Sequence, residues 1–563
     1  MASNERRTLQ QLAKIVPPFF VSELRWRATG MLLLLAVFSI SINSLDALMS
    51  YIGRDFMTAL SLRERDDFLR QLYRYLGAFA IATPVVVFFR YTEERLGLMW
   101  RRWFSRLILK RYLQNRAYYK INYGGKIDNP DQRIEEDIRS FTSTSLSFLL
   151  IVFNSMIKLF LFTGILWSIS TSLVYAVFAY AAVGSLITYL VGRPLIGLNF
   201  AQLKKDADYR YKLINVRDNS ESIAFIGDEG KELTRSRQRL KIALDNLLRI
   251  INWNRNLSLF TTGYNYVVVI LPTIIVAPLF LDGKIEFGVV TQASFLFAHV
   301  LGALSIIVTH FQGLSTLAAV INRLGSFWEA LEEIERQPPN YSGGIKTRIG
   351  ELVRFDDVTI VTPKREQVLI RNLSFELSSG GLLISGPSGS GKSSILRVLT
   401  GLWTSGSGSI VRPPLNSTMI LPQRPYMVLG TLRNQLLYGS KSTGYLDEEL
   451  LKVIHKVGLY ETFKRVGGFE STLDWANILS TGEQQRLAFA RLLLSRPRFV
   501  VLDEATTAID QDSEQYFFSL VKEFASLYIT VGFHATLRRY HDTIIEIEDD
   551  GRCRVGGIKQ SII

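Results

Sequence analysis

The chain has 563 residues, 48% of them hydrophobic and 21% charged, with a mean hydropathy of +0.15. A positive mean over such a length excludes a disordered or extended solvated chain, and the single cysteine, Cys553, excludes an intramolecular disulfide framework and a cysteine-built zinc site. The formal net charge of +14 admits a nucleic-acid partner, an acidic substrate or the basic cytoplasmic loops of a membrane protein, so its distribution decides.

The first twenty residues are charged and then amphipathic, with no small-residue cleavage site after an apolar stretch, and are expected to form an interfacial helix leading into a membrane span. Apolar runs follow at about 29–51, 74–90, 145–169, 172–192, 257–281 and 288–310, most of them near the ~20 residues that cross a bilayer core. The second is short and carries Pro84, and taken singly it also fits a buried core helix. Together the six predict an all-α transmembrane domain over residues 1–334.

The charge sits between the spans. Arg90, Arg101, Arg102, Arg106, Lys110, Arg111, Arg116 and Lys120 lie between the second and third, and Lys204, Lys205, Arg210, Lys212, Arg235, Arg237 and Arg239 between the fourth and fifth. The connections after spans three and five are uncharged or mixed. The positive-inside rule therefore puts the N-terminus, both long loops and the C-terminal half in the cytoplasm, and disfavours a nucleic-acid partner. Both loops keep a helical pattern, so the membrane helices are expected to run on beyond the bilayer. Residues 335–350, rich in Pro, Gly and polar side chains, read as a linker, leaving 351–563 as a soluble α/β domain.

In that domain a strand-like run at Leu382-Leu383-Ile384 leads into Gly386-Pro387-Ser388-Gly389-Ser390-Gly391-Lys392-Ser393, and a helical pattern follows from Ser394. This is a phosphate-binding loop in its strand–loop–helix setting. Glycines let consecutive N–H groups wrap phosphate oxygens, the helix N-terminus adds positive potential, Lys392 neutralises terminal phosphates, and Ser393 can ligate Mg²⁺. Further on, Phe499-Val500-Val501-Leu502 reads as a buried parallel strand ending in Asp503 and Glu504. Asp503 is expected to hold the metal through water and Glu504 to polarise the attacking water.

In these motifs the soluble half resembles the ATP-binding-cassette proteins. Leu479-Ser480-Thr481-Gly482-Glu483-Gln484-Gln485-Arg486 is similar to their signature, Gln423 to the Q-loop glutamine, Ala508-Ile509-Asp510 to the D-loop and His534 to the switch histidine. The resemblance implies an exporter-type fold, a six-helix membrane domain followed by an α/β nucleotide-binding domain. It also implies ATP and Mg²⁺ as ligands, with Gln423 joining Ser393 and Asp503 at the metal and joining Glu504 and His534 in hydrolysis. ATP would lie between one chain's phosphate loop, Gly386 to Ser394, and the other chain's Ser480 and Gly482, with Asp510 beside them. One cassette per chain then implies a homodimer, related by a two-fold axis. Two departures stand out: Thr481 replaces the first signature glycine, and Thr362 stands where many cassettes stack an aromatic ring on adenine.

Six spans and one cassette is the layout of a half-transporter. Asn129-Pro130-Asp131-Gln132-Arg133-Ile134 and Glu221-Ser222-Ile223-Ala224-Phe225-Ile226-Gly227 resemble loop motifs of the peroxisomal subfamily-D half-transporters and of the bacterial SbmA/BacA-like membrane domain fused to a cassette. That resemblance implies that Gly124 to Asp137 and Glu221 to Glu232 are coupling elements, although Asn-Pro-Asp is also a good turn and helix cap in its own right. The substrates it implies are polar or amphipathic: cobalamin, peptides or fatty acyl derivatives. Lys158, mid-span and one turn from Asn154, should face a cavity or an internal partner, because exposing an ammonium to lipid is costly. His299 and His310 in the sixth run are weaker pointers to the same polar route. The expectation is an ATP-driven transporter of the bacterial plasma membrane; the alternative is an ATP-gated channel or regulatory subunit that pumps nothing.

Overall fold

The computed structural model describes residues 2–124, 127–306, 310–336, 344–363, 367–440 and 444–558. It divides into two compact units, Met1–Glu335 and Arg336–Ile563.

The first unit is all helix. A short helix α1 (Ala2–Ile15) precedes α2 (Arg25–Ser61), α3 (Arg65–Leu113), α4 (Ile138–Ile169), α5 (Thr171–Asp218), α6 (Glu229–Leu281), α7 (Phe287–Leu304) and α8 (Phe311–Arg336). Among the described residues six helices, α2 to α7, are long and apolar enough to cross a membrane. Pro84 lies inside the unbroken α3, where only its own missing N–H is lost to the ladder. The basic segments after spans two and four are helical extensions of α3, α5 and α6, as their patterning predicts. The sixth helix stops at Leu304, where Ser305 leaves helical geometry, short of the predicted 310; residues 307–309 lie outside the described residues.

The N-terminal segment differs from a purely interfacial helix. Ile15 and Phe19 are fully buried in protein, and Phe19 stacks on Trp100 at 5.5 Å between ring centroids. Thr8 donates to Asn322 (3.1 Å), while Arg7 and Lys14 both pair with Glu329. The amphipathic face found in the sequence thus packs on α8, whose own sequence gave no hint of that partner.

Of the first expected coupling element, residues 125 and 126 lie outside the described residues. Beyond them Asn129 is left-handed (φ 41°), and its side chain makes no cap hydrogen bond, so the simple capping reading of Asn-Pro-Asp does not hold. Pro130–Gln132 form one helical turn, and Arg133–Asp137 continue as a π-helical turn. The physical reason is Arg133, which is buried and donates to the Asp128 carbonyl (3.0 Å), the Arg323 carbonyl (2.6 Å) and the Ser326 hydroxyl (2.9 Å), and pairs with the Asp128 carboxylate. Asp137, buried too, accepts a fork from Arg323 (2.6 and 2.8 Å). These bonds fasten the turn to α8. In the second element, Ser220–Ile226 is a helix closed by Gly227 in the left-handed region (φ 67°), a conformation that glycine adopts freely.

The second unit holds two sheets. One has the order β1 (Lys346–Ile349), β5 (Gly406–Arg412), β2 (Val353–Val361) and β3 (Val368–Leu377). Residues 337–343 of the expected linker lie outside the described residues. Lys346–Ile349, also expected as linker, instead pair in parallel with Ser409–Arg412; four residues are too few for a period to be read. The other sheet has the order β10 (Cys553–Gly557), β9 (Thr543–Ile547), β4 (Gly380–Ser385), β8 (Leu527–Val531), β7 (Phe499–Asp503) and β6 (Thr418–Leu421), with β9 through β6 parallel. Its continuous apolar runs follow from burial on both faces. Among the helices around it are α9 (Lys392–Leu399), α10 (Thr481–Ser495) and α11 (Gln511–Phe524).

His541 shows how tightly this unit is packed. It is 1% exposed, with Nδ1 2.7 Å from the Leu537 carbonyl and Nε2 2.7 Å from the Thr530 hydroxyl. Burial lowers its pKa from near 6.5 to about 4, against the opposing pull of the Leu537 carbonyl. A folded-state pKa below the unfolded one means that the unfolded chain takes up the proton first as pH falls. Stability is therefore complete above about pH 6.5 and is lost on the way to pH 4. A thermal melt of the soluble unit's transition at pH 5 should show a loss of about 2 kcal/mol relative to pH 7.5. A His541→Gln variant should flatten that dependence; an equal acid sensitivity in both would remove His541 as its source.

Candidate functional site

The chemistry gathers where parallel strands end. Ligands of open α/β sheets sit outside the carboxyl ends of the strands, and here four neighbouring strands deliver four pieces. β4 leads into Gly386–Gly391, β8 is followed by His534, β7 ends in Asp503 with Glu504 next, and Gln423 lies two residues beyond β6. In register, Asp503 lies beside Val531.

The loop after β4 needs its glycines. Gly386 (φ 157°), Gly389 (φ 83°) and Gly391 (φ 101°) hold conformations that L side chains rarely adopt, and a Cβ on Gly386 would stand 2.8 Å from the Ile547 carbonyl oxygen. Lys392 is 8% exposed, and its ammonium donates to the Gly386 and Pro387 carbonyls (2.8 and 2.7 Å), held over the loop. Ser390 Oγ is buried without a hydrogen-bond partner, a polar atom left for a ligand. Ser388 is exposed, whereas Ser394 is buried with its N–H on the Gly391 carbonyl (2.9 Å).

The Ser393 hydroxyl lies beside the carboxylate of Asp503. Burial and then the neighbouring Glu504 charge raise the Asp503 pKa above the ordinary carboxylate range, while Arg397, Ser393 and Lys392 oppose the shift. Such a carboxylate is short of positive charge. With the Ser393 hydroxyl beside it, this all-oxygen pair fits Mg²⁺.

Glu504 is the one strained residue at the strand ends, at φ 50°, with its N–H on the Val531 carbonyl (3.0 Å). Gln423 Nε2 donates to Glu504 Oε2 at 2.8 Å, so these two expected site residues meet directly. His534 is exposed, its ring 4.2 Å from that of Phe533 between centroids.

The signature lies on a different element. Ser480 caps α10 in a capping box with Glu483: Ser480 N–H to Glu483 is 2.9 Å and Glu483 N–H to Ser480 Oγ is 3.3 Å. Ser480 and Thr481 are exposed. α10 packs on β6, three strands from β4 and so on the order of 14 Å across the sheet. Gly482 has a packing duty as well, because a Cβ there would meet the Ala508 carbonyl at 2.8 Å. Asp510 caps α11 by accepting from Ser513 N–H (2.9 Å) and pairs with Arg486 (2.6 Å). At Thr362 the backbone N–H bonds the Gln367 carbonyl (2.9 Å) and the hydroxyl accepts from Gln367 N–H (3.2 Å); residues 364–366 lie outside the described residues.

Sequence reasoning missed two buried residues here. Gln485, 1% exposed, and Arg491, 5% exposed, both lie on α10 and hold backbone around the site. The only hint available was a polar residue on an otherwise apolar helix face.

In the membrane unit, α2, α4 and α7 meet along a polar seam. Asn43, fully buried, donates to Asn154 at 3.0 Å, and Gln292 donates to Ser50 at 3.3 Å. Asn154 is thus engaged by α2 and is no hydrogen-bond partner of Lys158. One turn on from this pair come Asp46 on α2 and Lys158 on α4, both half-buried, and Lys158 interacts electrostatically with Asp46 and with His299 of α7. His299 itself packs against Phe162 and Phe295. His310 lies elsewhere, exposed beside a cavity of about 220 Å³ that Ser143, Ser147 and Leu317 also line.

Comparison with known proteins agrees with both halves. The family model described as ABC transporter transmembrane region 2 matches residues 15–281, and that described as ABC transporter matches residues 370–507. The chain is 42% identical to an uncharacterized ABC transporter ATP-binding protein of Synechocystis, over 95% of this chain and 82% of that one. It is 38% identical to the chloroplastic ABC transporter D family member 2 of Arabidopsis thaliana (97% and 87%), and 29% identical to human ATP-binding cassette sub-family D member 3 (97% and 88%). The fold is similar to that of a bacterial Atm1-family ABC exporter with ATP bound, with a TM-score of 0.76 at 19% identity over 95% of this chain and 96% of that one.

Proposed function

The chain belongs to the ABC transporter family, as a subfamily-D half-transporter with a multi-pass membrane half and an ATPase coupled to transport, and from that premise we propose that two copies form a homodimer in a bacterial plasma membrane and move a polar or amphipathic substrate. What carries the reading is the Gln423–Glu504 hydrogen bond at the shared end of β6 and β7, beside the phosphate loop.

The roles follow from chemistry. Lys392 exchanges two loop carbonyls for the terminal phosphates of ATP, and the loop N–H groups together with the Ser390 hydroxyl take up phosphate oxygens. Ser393, Asp503 and Gln423 hold Mg²⁺, which supplies charge neutralisation at the phosphates. Glu504, placed by Gln423, accepts the proton of the attacking water, and His534 contacts the γ-phosphate. The exposed Ser480 and the Gly482 N–H, at the start of α10 and away from the chain's own phosphate loop, serve the partner chain's nucleotide. Nothing in the comparisons supports the channel or regulator alternative.

For the route through the membrane, the reading rests on the seam that joins Asn43, Asp46, Asn154, Lys158, Gln292 and His299. An ammonium inside a span persists where polar groups or a solvated cavity compensate it. The test is hydrolysis-dependent uptake into proteoliposomes, with cobalamin, a short peptide and a fatty acyl thioester offered in turn, by wild type and by Lys158→Met. Wild type should accumulate at least one of them. Lys158→Met should keep its melting temperature and basal hydrolysis while losing uptake and substrate-stimulated hydrolysis. A lowered melting temperature with stimulation unchanged would show Lys158 to be structural and overturn the route.

A further inference from the structure

We infer that Gln485 is a positioning residue for ATP hydrolysis, bracing from behind the two segments whose side chains, Gln423 and Glu504, meet at the ends of β6 and β7. It is the fifth residue of the signature helix, buried beneath the exposed Ser480 and Thr481, and takes no part in the roles assigned to Lys392, Gln423, Glu504 and His534.

The geometry is a three-way clamp. Gln485 Nε2 donates to the Gln423 carbonyl (3.3 Å) and to Thr507 Oγ1 (3.2 Å), and its Oε1 accepts from the Ala508 N–H (3.0 Å). Thr507 Oγ1 in turn donates to the Glu504 carbonyl (3.1 Å). One side chain therefore reaches the backbone of Gln423 on one side and, through Thr507, the backbone of Glu504 on the other. Those two residues are 81 positions apart in sequence, and their side chains must come within 2.8 Å.

The position needs such a clamp. Glu504 holds a left-handed conformation uncommon for a residue with a side chain, which persists only where its surroundings over-determine it. The bonds that hold it are its own N–H to Val531 and the Thr507 link to its carbonyl. Gln423 follows the end of a four-residue strand, so its carbonyl is fixed by side-chain contact rather than by a long ladder. The amide is also the right group for the task, because it donates toward a carbonyl and accepts from an N–H at once, which neither a carboxylate nor an apolar side chain does. Being 1% exposed, it does this without competition from water. Gly482 adds to the same seam, its missing Cβ allowing the Ala508 carbonyl to approach α10.

The consequence is a division of labour that kinetics can read. The phosphate loop grips ATP without Gln485, so binding survives its removal. What is lost is the alignment of Gln423 with Glu504, a transition-state effect. The inference rests on the ATPase activity and not on the homodimer or the substrate.

The experiment uses the purified full-length chain in nanodiscs, with ATP hydrolysis measured for Gln485→Leu, Gln485→Glu and Thr507→Val and melting temperature recorded on the same preparations. Gln485→Glu is nearly isosteric and keeps the acceptor for the Ala508 N–H but faces the Gln423 carbonyl without the amide donor, and the melting temperatures show which variants fold, Thr507→Val leaving Gln485 itself in place. Both Gln485 variants are expected to show a KM for ATP within about twofold of wild type and a kcat lower by about tenfold, with Thr507→Val between them and wild type. Because Gln485 acts through Gln423, adding Gln485→Glu to Gln423→Ala should cost little beyond Gln423→Ala alone. A wild-type kcat in a folded Gln485 variant overturns the inference. So does a rise in KM at unchanged kcat, or additive losses in the double variant. Wild-type protein that hydrolyses ATP but accumulates none of the offered substrates would instead count against the proposed function and leave the clamp standing.

Discussion

Glu504→Gln is expected to bind ATP as wild type does and to hydrolyse it about 10²–10⁴-fold more slowly, the range that loss of a general base produces. An amide keeps the size of the carboxylate and can still accept the hydrogen bond that Gln423 donates at 2.8 Å, so the strand ends should keep their arrangement. It cannot take the proton of the attacking water, nor carry the charge that polarises it. The adjacent Asp503 does not substitute, since burial and the Ser393 hydroxyl commit it to the metal side of the site. Phosphate release by the purified variant, with nucleotide binding measured in parallel, decides the matter. A wild-type hydrolysis rate would remove Glu504 from the chemistry, and loss of nucleotide binding would make its role structural.

Arg491→Met is expected to cost the soluble unit about 3 kcal/mol of stability. Arg491 is 5% exposed and among the described residues has no carboxylate partner; its guanidinium donates to the Gln435 carbonyl (2.7 Å), the Tyr426 carbonyl (2.8 Å) and Gln435 Oε1 (3.1 Å). Burial brings its pKa down to about 10, with Tyr438 opposing, so it stays charged at neutral pH, its charge met by these dipoles and by the Tyr438 ring 5.5 Å away. Removing it strands buried acceptors that water cannot reach. Gln435, fully buried, is then left to hold Val428 alone. Methionine fills much of the volume, so the loss reads the hydrogen bonds rather than a cavity. Arg491→Lys should recover less than half of it, because one ammonium cannot reach both carbonyls. The check is the melting transition of the soluble unit in both variants; an unchanged transition in Arg491→Met would show that the clamp contributes nothing.

Much of this protein is legible because the patterns concerned are local. Span lengths, the basic loops and the phosphate loop each depend on neighbours in sequence: hydrocarbon thickness sets the first, the membrane's charge asymmetry the second, and the need for left-handed glycines before a helix the third. The apolar strand ending in Asp503 and Glu504 belongs with these, since burial on both faces writes itself into consecutive residues. Read in order, such motifs were enough to give fold class, family and ATPase activity without any contact being known.

Tertiary structure decided whatever depends on distance across the sequence. It set the Lys346–Ile349 strand beside β5, where a four-residue element carries no period of its own. It turned the N-terminal amphipathic face toward α8, because amphipathicity says that a face is covered and not by what. It paired Asn154 with Asn43 on α2 rather than with Lys158 one turn away, a choice among helices that one-dimensional spacing cannot make. And it joined Gln423, Gln485, Thr507 and Glu504 into one hydrogen-bonded cluster. A buried glutamine carries no sequence signal of its own, because its role lies in which two backbones it reaches, and only the packing of α10 against the sheet determines that.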